Sequence, residues 1–289
     1  MLSSPPQSYD FAMPNVFPFA QVDVFSEQAS YGNPLAVVAD AERLDQSQMA
    51  QLAHWTNLSE TCFLLHPTDD GADYRVRIFT PLQELPFAGH PTLGACHVWL
   101  SQGGQPLGED VVQQCGAGLI HIRRNNDRLF FCAPPLRRSG PLNPDMSGRI
   151  AAALGLQDAE VEAGAWVDNG PGWAALLLND RQTLLQAKPD YAALKGMRIG
   201  LVAPVGEAGH GFDFEVRAFS AGGLEDPVTG SLNAGIAQWL LADGIATGDY
   251  IAAQGTLLGR KGRVHVLQDG QDIWVGGTVQ DGITGTLKL

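Results

Sequence analysis

Two short stretches of this sequence gather residue types that could do chemistry: "LPFAGHPTLG" (85–94) and "EDPVTGSLNAG" (225–235). The first carries His90 and the second Asp226 with Ser231, all groups able to hold or move a proton. Each stretch stands between a run that alternates like a strand and a run spaced like a helix. The first N–H groups of a helix have no acceptor within it and lie at the positive end of its dipole. Gly89 and Gly230 would let a ligand approach that backbone closely, so each helix start is a cradle for a carboxylate or phosphate. Taken singly, either loop is better explained by turn geometry, with Ser231 as an N-cap. Taken together they point to a functional site.

The two stretches are copies. Val76-Arg77 and Phe79-Thr80 match Val216-Arg217 and Phe219-Ser220 at an offset of 140 residues. After one inserted residue the offset becomes 141, and Glu84, Pro86, Gly89, His90 and Gly94 face Glu225, Pro227, Gly230, Ser231 and Gly235. A weaker echo relates "QVDVFSEQASYGNPLAVV" (21–38) to "WVDNGPGWAALLL" (166–178): a strand with Val-Asp, a glycine turn, an apolar strand. The repeat divides the chain into a flexible tail (1–15), a first lobe (16–132) and a second lobe (133–289), whose last strand is a candidate to return to the first. The joint falls in "CAPPLRRSGPLNPDMSG" (132–148), whose prolines disfavour helix and central strand alike.

These elements must position the chemistry. Tyr74, Val76 and Ile78 alternate with Arg75 and Arg77, and Phe212, Phe214 and Val216 alternate with Asp213, Glu215 and Arg217. Both read as half-buried strands. After the loops, Leu93, Cys96 and Leu100 form one helical stripe and Leu232, Ile236, Trp239 and Leu240 another, with Gly103 and Gly244 as stops. Asp45-x-x-Gln48 resembles a capping box before Met49, Leu52 and Ala53. The expected fold is α+β, two pseudo-symmetric lobes, each a curved mixed sheet wrapped around a central helix. Their helix ends would face one another across a cleft.

Composition narrows the partners. The 289 residues carry a net charge of −13, from 31 Asp and Glu against 18 Lys and Arg. The basic clusters (Arg123-Arg124, Arg137-Arg138, Arg260-Lys261 with Arg263) are short, so nucleic acid is not an expected partner. No apolar run reaches the roughly 20 residues that cross a bilayer, and the first residues lack a signal-peptide pattern, which leaves the cytoplasm as the expected compartment. Cys62, Cys96, Cys115 and Cys132 show no metal-ligand spacing and read as reduced, mostly buried thiols. The six histidines other than His90 show no clustering. "VGGTVQDGITG" (275–285) lacks the spacing of a dinucleotide loop and reads as hairpin strands.

Four ordered motifs, "GNPLAVV" (32–38), "NLSET" (57–61), "FTP…ELPFAGHPT" (79–92) and "EDPVTGS" (225–231), resemble the phenazine-biosynthesis PhzF-like family of isomerases. The resemblance spans residues 19–289 and implies a diaminopimelate epimerase-like fold, in agreement with the repeat, and a homodimer. It implies proton transfer without cofactor or metal on a small, carboxylate-bearing substrate; the phenazine member moves a proton between carbons of a dihydro-hydroxyanthranilate. The family's acid/base glutamate falls on Glu60, beside Ser59; its other site positions fall on His90, Asp226, Gly230 and Ser231. Composition and spacing do not single out Glu60. One carboxylate can take a proton and return it to another atom, and partial burial raises its pKa toward neutrality. The sequence departs from the family at "GRKGR" (259–263). Two rivals remain. An amino-acid racemase or epimerase of the same fold would use a pair of cysteines, where this chain has His90 and Ser231. A silent ligand-binding protein would have little need of Glu60, His90 and Asp226 together.

Overall fold

The computed structural model describes residues 15–206 and 210–289; the tail expected over residues 1–15 lies, Asn15 apart, outside the described residues. The first half of the chain forms β1 (Val16–Val24), β2 (Asn33–Val38), α1 (Gln46–Thr56), β3 (Thr61–Leu65), β4 (Tyr74–Phe79), β5 (Glu84–Leu85), α2 (Gly89–Ser101), β6 (Val111–Cys115), β7 (Gly118–Asn125) and β8 (Arg128–Cys132). The second forms β9 (Arg138–Pro141), α3 (Pro144–Ala153), β10 (Val161–Asp168), β11 (Trp173–Leu178), α4 (Arg181–Gln186), β12 (Arg198–Pro204), β13 (Phe214–Phe219) and β14 (Glu225–Asp226). It ends with α5 (Gly230–Ala242), β15 (Tyr250–Gln254), β16 (Gly262–Asp269) and β17 (Asp272–Lys288).

The class is α+β. β1, β2, β3, β4, β6, β7, β8 and β17 pair in that order and β17 returns to β1, closing an eight-strand barrel. The β2–β3 and β4–β6 pairs are parallel and the rest antiparallel. From β10 through β11, β12, β13, β15 and β16 to β17 the same senses recur in the same order, and β9 pairs with β10 as β17 does with β1. β4 and β13 keep the 140-residue offset, while β5 and β14, and α2 and α5, keep 141. The strands nevertheless form one hydrogen-bonded sheet. β17 joins the halves, pairing with β8 and β16 through its first residues and with β1 through the rest.

The repeated Val-Asp has a physical cause. Asp23 Oδ2 accepts the N–H groups of Tyr31 and Gly32 at 2.8 and 2.7 Å, pinning the turn between β1 and β2. Asp168 Oδ1 accepts those of Gly170 and Gly172 at 2.7 and 2.6 Å in the β10–β11 turn. Beside the candidate loops, Arg77 binds both oxygens of Glu84, and Arg217 both oxygens of Glu225. Each pair clamps a two-residue strand just before a helix start, and the planar guanidinium fork fixes its angle.

Several local expectations hold. Asp45 and Gln48 form the reciprocal capping box of α1. Gly103 and Gly244 follow α2 and α5 with φ of 92° and 70°. Cys62 and Cys96 are buried, and all four thiols are free. Others are corrected. α2 and α5 are buried around most of their circumference rather than along one stripe, because sheet surrounds them. β13 is buried at all six positions, its Glu215 held by Arg181 at 2.9 Å and Thr256 at 2.6 Å, so its alternation marks paired charges, not a solvent face. The proline-rich joint contains β9 and the start of α3. Pro141 closes an edge strand and Pro144 opens a helix, where a missing N–H costs little. Residues 275–285 lie in one continuous strand without a hairpin turn.

Candidate active site

α2 and α5 bring their first turns together. A Cβ built on Gly230 would stand 3.3 Å from the His90 backbone nitrogen and 3.5 Å from the Gly89 Cα. The other cradle glycine is constrained by a strand instead: a Cβ on Gly89 would lie 2.5 Å from the Phe131 ring. Gly230 lets the two starts approach, and Gly89 clears the Phe131 ring of β8. Neither helix receives a side-chain cap, since Ala88 and Thr229 stand at the N-cap positions without capping bonds. The orphan N–H groups of both first turns therefore converge on one region.

Glu60 reaches that region from the segment between α1 and β3. The segment turns at Asn57, which ends α1 in the left-handed conformation with φ of 53°. The Glu60 side chain keeps 16% of its surface exposed, and its Oε2 lies 3.3 Å from His90 Nδ1. That contact lacks hydrogen-bond alignment: Glu60 Oε2 and His90 Nε2 are both buried without a partner. Two buried orphans on neighbouring side chains suit an incoming ligand. Asp226 enters from β14. Its Oδ2 accepts the Thr229 hydroxyl at 2.5 Å, and its Oδ1 lies 3.4 Å from Asn33 Nδ2, which also donates to the Val228 carbonyl at 2.8 Å.

Burial sets the ionisation. It pushes the Glu60 carboxyl up to about 8, with the negative charge of Asp226 adding to the effect. Asp226 is raised to about 6, again by burial, against the opposing hydrogen bonds of Thr229 and Asn33. His90 is driven down to about 3 by burial, the Pro34 carbonyl pulling the other way, so its imidazole is neutral around pH 7. Two carboxyls with separated affinities beside a neutral imidazole form an acid/base set.

The structure thus brings Glu60, His90, Asp226, Gly89 and Gly230 together. Ser231 is not the N-cap: it lies in the first turn of α5, where its hydroxyl accepts from Trp173 Nε1 at 3.0 Å and its carbonyl from Asn169 at 2.8 Å. Ser59 is exposed on the bend before Glu60. The divergent 259–263 loop joins the halves, with Arg260 donating to the Ser30 carbonyl and the Lys261 N–H to that of Tyr31. A cavity of about 840 Å³ opens at the other end of α5, among Leu136, Trp166, Trp239, Asp243 and Ile273. Among the described residues, no three His, Cys, Asp or Glu side chains group as metal ligands, and no helix is long and apolar enough to cross a membrane. Sequence reasoning missed Asn33, which sits inside the quoted "GNPLAVV", and Thr229, inside "EDPVTGS". It also missed Gln254, for which no local pattern exists.

An acid/base set at paired helix starts in an α+β barrel fold defines a class, and comparison with known proteins places the chain within it. The family model described as phenazine biosynthesis-like protein matches residues 22–279. Antisense-enhancing sequence 1 of Schizosaccharomyces pombe is 34% identical over 290 residues, 92% of this chain and 97% of its own. Trans-2,3-dihydro-3-hydroxyanthranilate isomerase of Pseudomonas aeruginosa is 31% identical over 260 residues, 87% and 90% of the two chains. The crystal structure of the PhzF-family phenazine biosynthesis protein of Enterococcus faecalis matches with a TM-score of 0.79 at 26% identity, over 95% of this chain and 100% of that one. The chain belongs to the phenazine biosynthesis-like family, and it is an isomerase.

Proposed function

We propose that the protein moves a proton between carbons of a small carboxylate-bearing substrate, with Glu60 as the carrier. The observation that carries this reading is the meeting of Glu60, His90 and Asp226 at the two helix starts. On this reading residues 16–132 and 133–289 act as two pseudo-symmetric lobes. The substrate carboxylate lies against the N–H groups beside Gly89 and Gly230. Glu60 in its carboxylate form takes the proton from one carbon and returns it to another on the same face. The helix-end N–H groups stabilise the charge that develops as the proton leaves. Neutral His90 orients the carboxyl or a polar group of the substrate, and ionised Asp226 keeps Glu60 basic enough to accept the proton. Carboxylate-mediated transfer of this kind is complete without a cofactor.

The test is turnover by wild type and Glu60→Gln on a panel of small carboxylates, beginning with trans-2,3-dihydro-3-hydroxyanthranilate, the compound in the name of the Pseudomonas relative. Gln keeps size and shape but cannot carry a proton. Turnover is expected to fall by at least the roughly 10²–10⁴-fold that general acid–base catalysis supplies, while binding persists. In heavy water the wild type is expected to place deuterium at a substrate carbon. Equal rates for the two proteins would assign the chemistry elsewhere.

A further inference from the structure

We propose that Gln254 and Thr229 form a one-way hydrogen-bond relay that fixes Asp226 as the acceptor, and hence the ionised, member of the Glu60–Asp226 carboxyl pair. Two backbone groups set its direction. Gln254 is fully buried at the end of β15. One end of its amide lies 3.1 Å from the Thr229 N–H, which can only donate, and the other 3.1 Å from the Asp226 carbonyl, which can only accept. The amide therefore has a single orientation, Oε1 toward Thr229 N and Nε2 toward Asp226 O. Asn233 follows the same polarity, its Nδ2 donating to the Thr229 carbonyl at 2.9 Å and to Gln254 Oε1 at 2.8 Å.

Gln254 Nε2 also lies 3.1 Å from Thr229 Oγ1, so it donates to that hydroxyl. A hydroxyl has one proton to give. With Gln254 acting as its donor, Thr229 directs that proton to Asp226 Oδ2, the 2.5 Å contact. A protonated Asp226 would present a second hydrogen where only an acceptor fits. Asn33 donates toward the other oxygen, so both oxygens of Asp226 face donors.

The fold does not require the relay. At the same places in the first half stand Leu85 for Asp226 and Ala88 for Thr229, and by strand register Cys115 for Gln254. α2 starts there as regularly as α5. Thr229 occupies an N-cap position, where its hydroxyl ordinarily serves the helix, yet it makes no cap bond. The ionisable groups around Asp226 are Glu60, with buried Cys62 two residues beyond it, and His90 of α2. The preceding Glu225 is engaged by Arg217, and Arg260, across Pro227 and Gly255, is engaged by the Ser30 carbonyl. α5, β15 and the start of β2 present the amides of Asn233, Gln254 and Asn33. Thr229 and Gln254 are positioning residues, acting on the reaction through Asp226.

The inference rests on the reading of Glu60 as proton carrier, but its test needs no substrate. The full chain is labelled with carbon-13 at aspartate side-chain carboxyls, and the Asp226 resonance is identified by its loss in Asp226→Asn. Thr229→Val keeps shape and removes the donor; the Asp226 titration midpoint is expected to rise by about one pH unit or more. Thr229→Ser, which restores the hydroxyl, is expected to return it. An unchanged midpoint in the valine variant, or a serine variant that behaves like valine, overturns the relay. The wild type supplies a second measurement should valine fail to fold. A Thr229 hydroxyl proton correlated with the Asp226 carboxyl carbon supports the relay; one directed at Gln254 overturns it. Failure of the relay with Glu60→Gln still inactive would leave the proton-carrier reading standing, and the converse pattern would separate them the other way.

Discussion

Glu60 offers a test in which chemistry and stability are read from one side chain. Burial and the neighbouring charge of Asp226 raise its carboxyl from 4.5 to about 8. At 1.36 kcal/mol per pH unit this disfavours the carboxylate by about 5 kcal/mol. The base form is then roughly one tenth of the enzyme at pH 7 and one hundredth at pH 6. For a reaction that begins with Glu60 as base, kcat/KM is expected to climb about tenfold per pH unit and level off above about 8. Glu60→Gln is expected to flatten that limb at a low rate. Stability carries the opposite sign. A carboxyl whose affinity is raised on folding favours the native state below its unfolded pKa of 4.5, and that contribution is lost as pH rises through about 8. Glu60→Gln removes the dependence, so its stability relative to wild type should improve by up to about 5 kcal/mol between those limits. Urea unfolding of both proteins at a series of pH values measures it. A constant stability difference, or a kinetic limb near pH 4.5, would refute the burial argument.

Asp226→Asn is expected to fold nearly as wild type, turn over slowly and shift the acid limb of Glu60 below pH 8, because the charge that helps raise it is gone; pH–rate profiles and melting curves check this, and an unmoved limb counts against the pairing. Gly235→Ala would set a Cβ 2.1 Å from the Val167 carbonyl oxygen inside the sheet. It is expected to cost at least about 3 kcal/mol in urea unfolding, and a loss under about 1 kcal/mol would show that the strand yields. A chain ended after Thr278 loses the β1 partner, and its thermal transition is expected to lose cooperativity; an unchanged melt would show that the barrel does not depend on that pairing.

The sequence made the local devices legible. The repeat placed both helix starts because two copies constrain each other, and Asp45, Gly103 and Gly244 were readable because caps and stops depend on a few adjacent residues. Glu60 stood out only through family resemblance, since nothing next to it in the chain makes it basic; its neighbours His90 and Asp226 arrive from 30 and 166 residues away. Glu215 and Arg217 looked solvent-facing because alternation cannot distinguish water from a buried counter-ion. Gln254 carried no signal at all, for its four polar contacts lie on β14 and at the start of α5, more than 20 residues away.

β17 has a consequence for how the molecule is made. Val16–Val24 finds its partner in Val279–Lys288, more than 250 residues later. At roughly 5–20 residues per second, a ribosome needs about 13 to 50 s to produce that partner after β1 emerges. Throughout that interval the barrel is a sheet with a gap, and β1 offers unpaired amides to any passing strand. Closure waits until β17 has been made. Until then the open edge of β1 is where mispairing can begin, and each pause in translation lengthens that exposure.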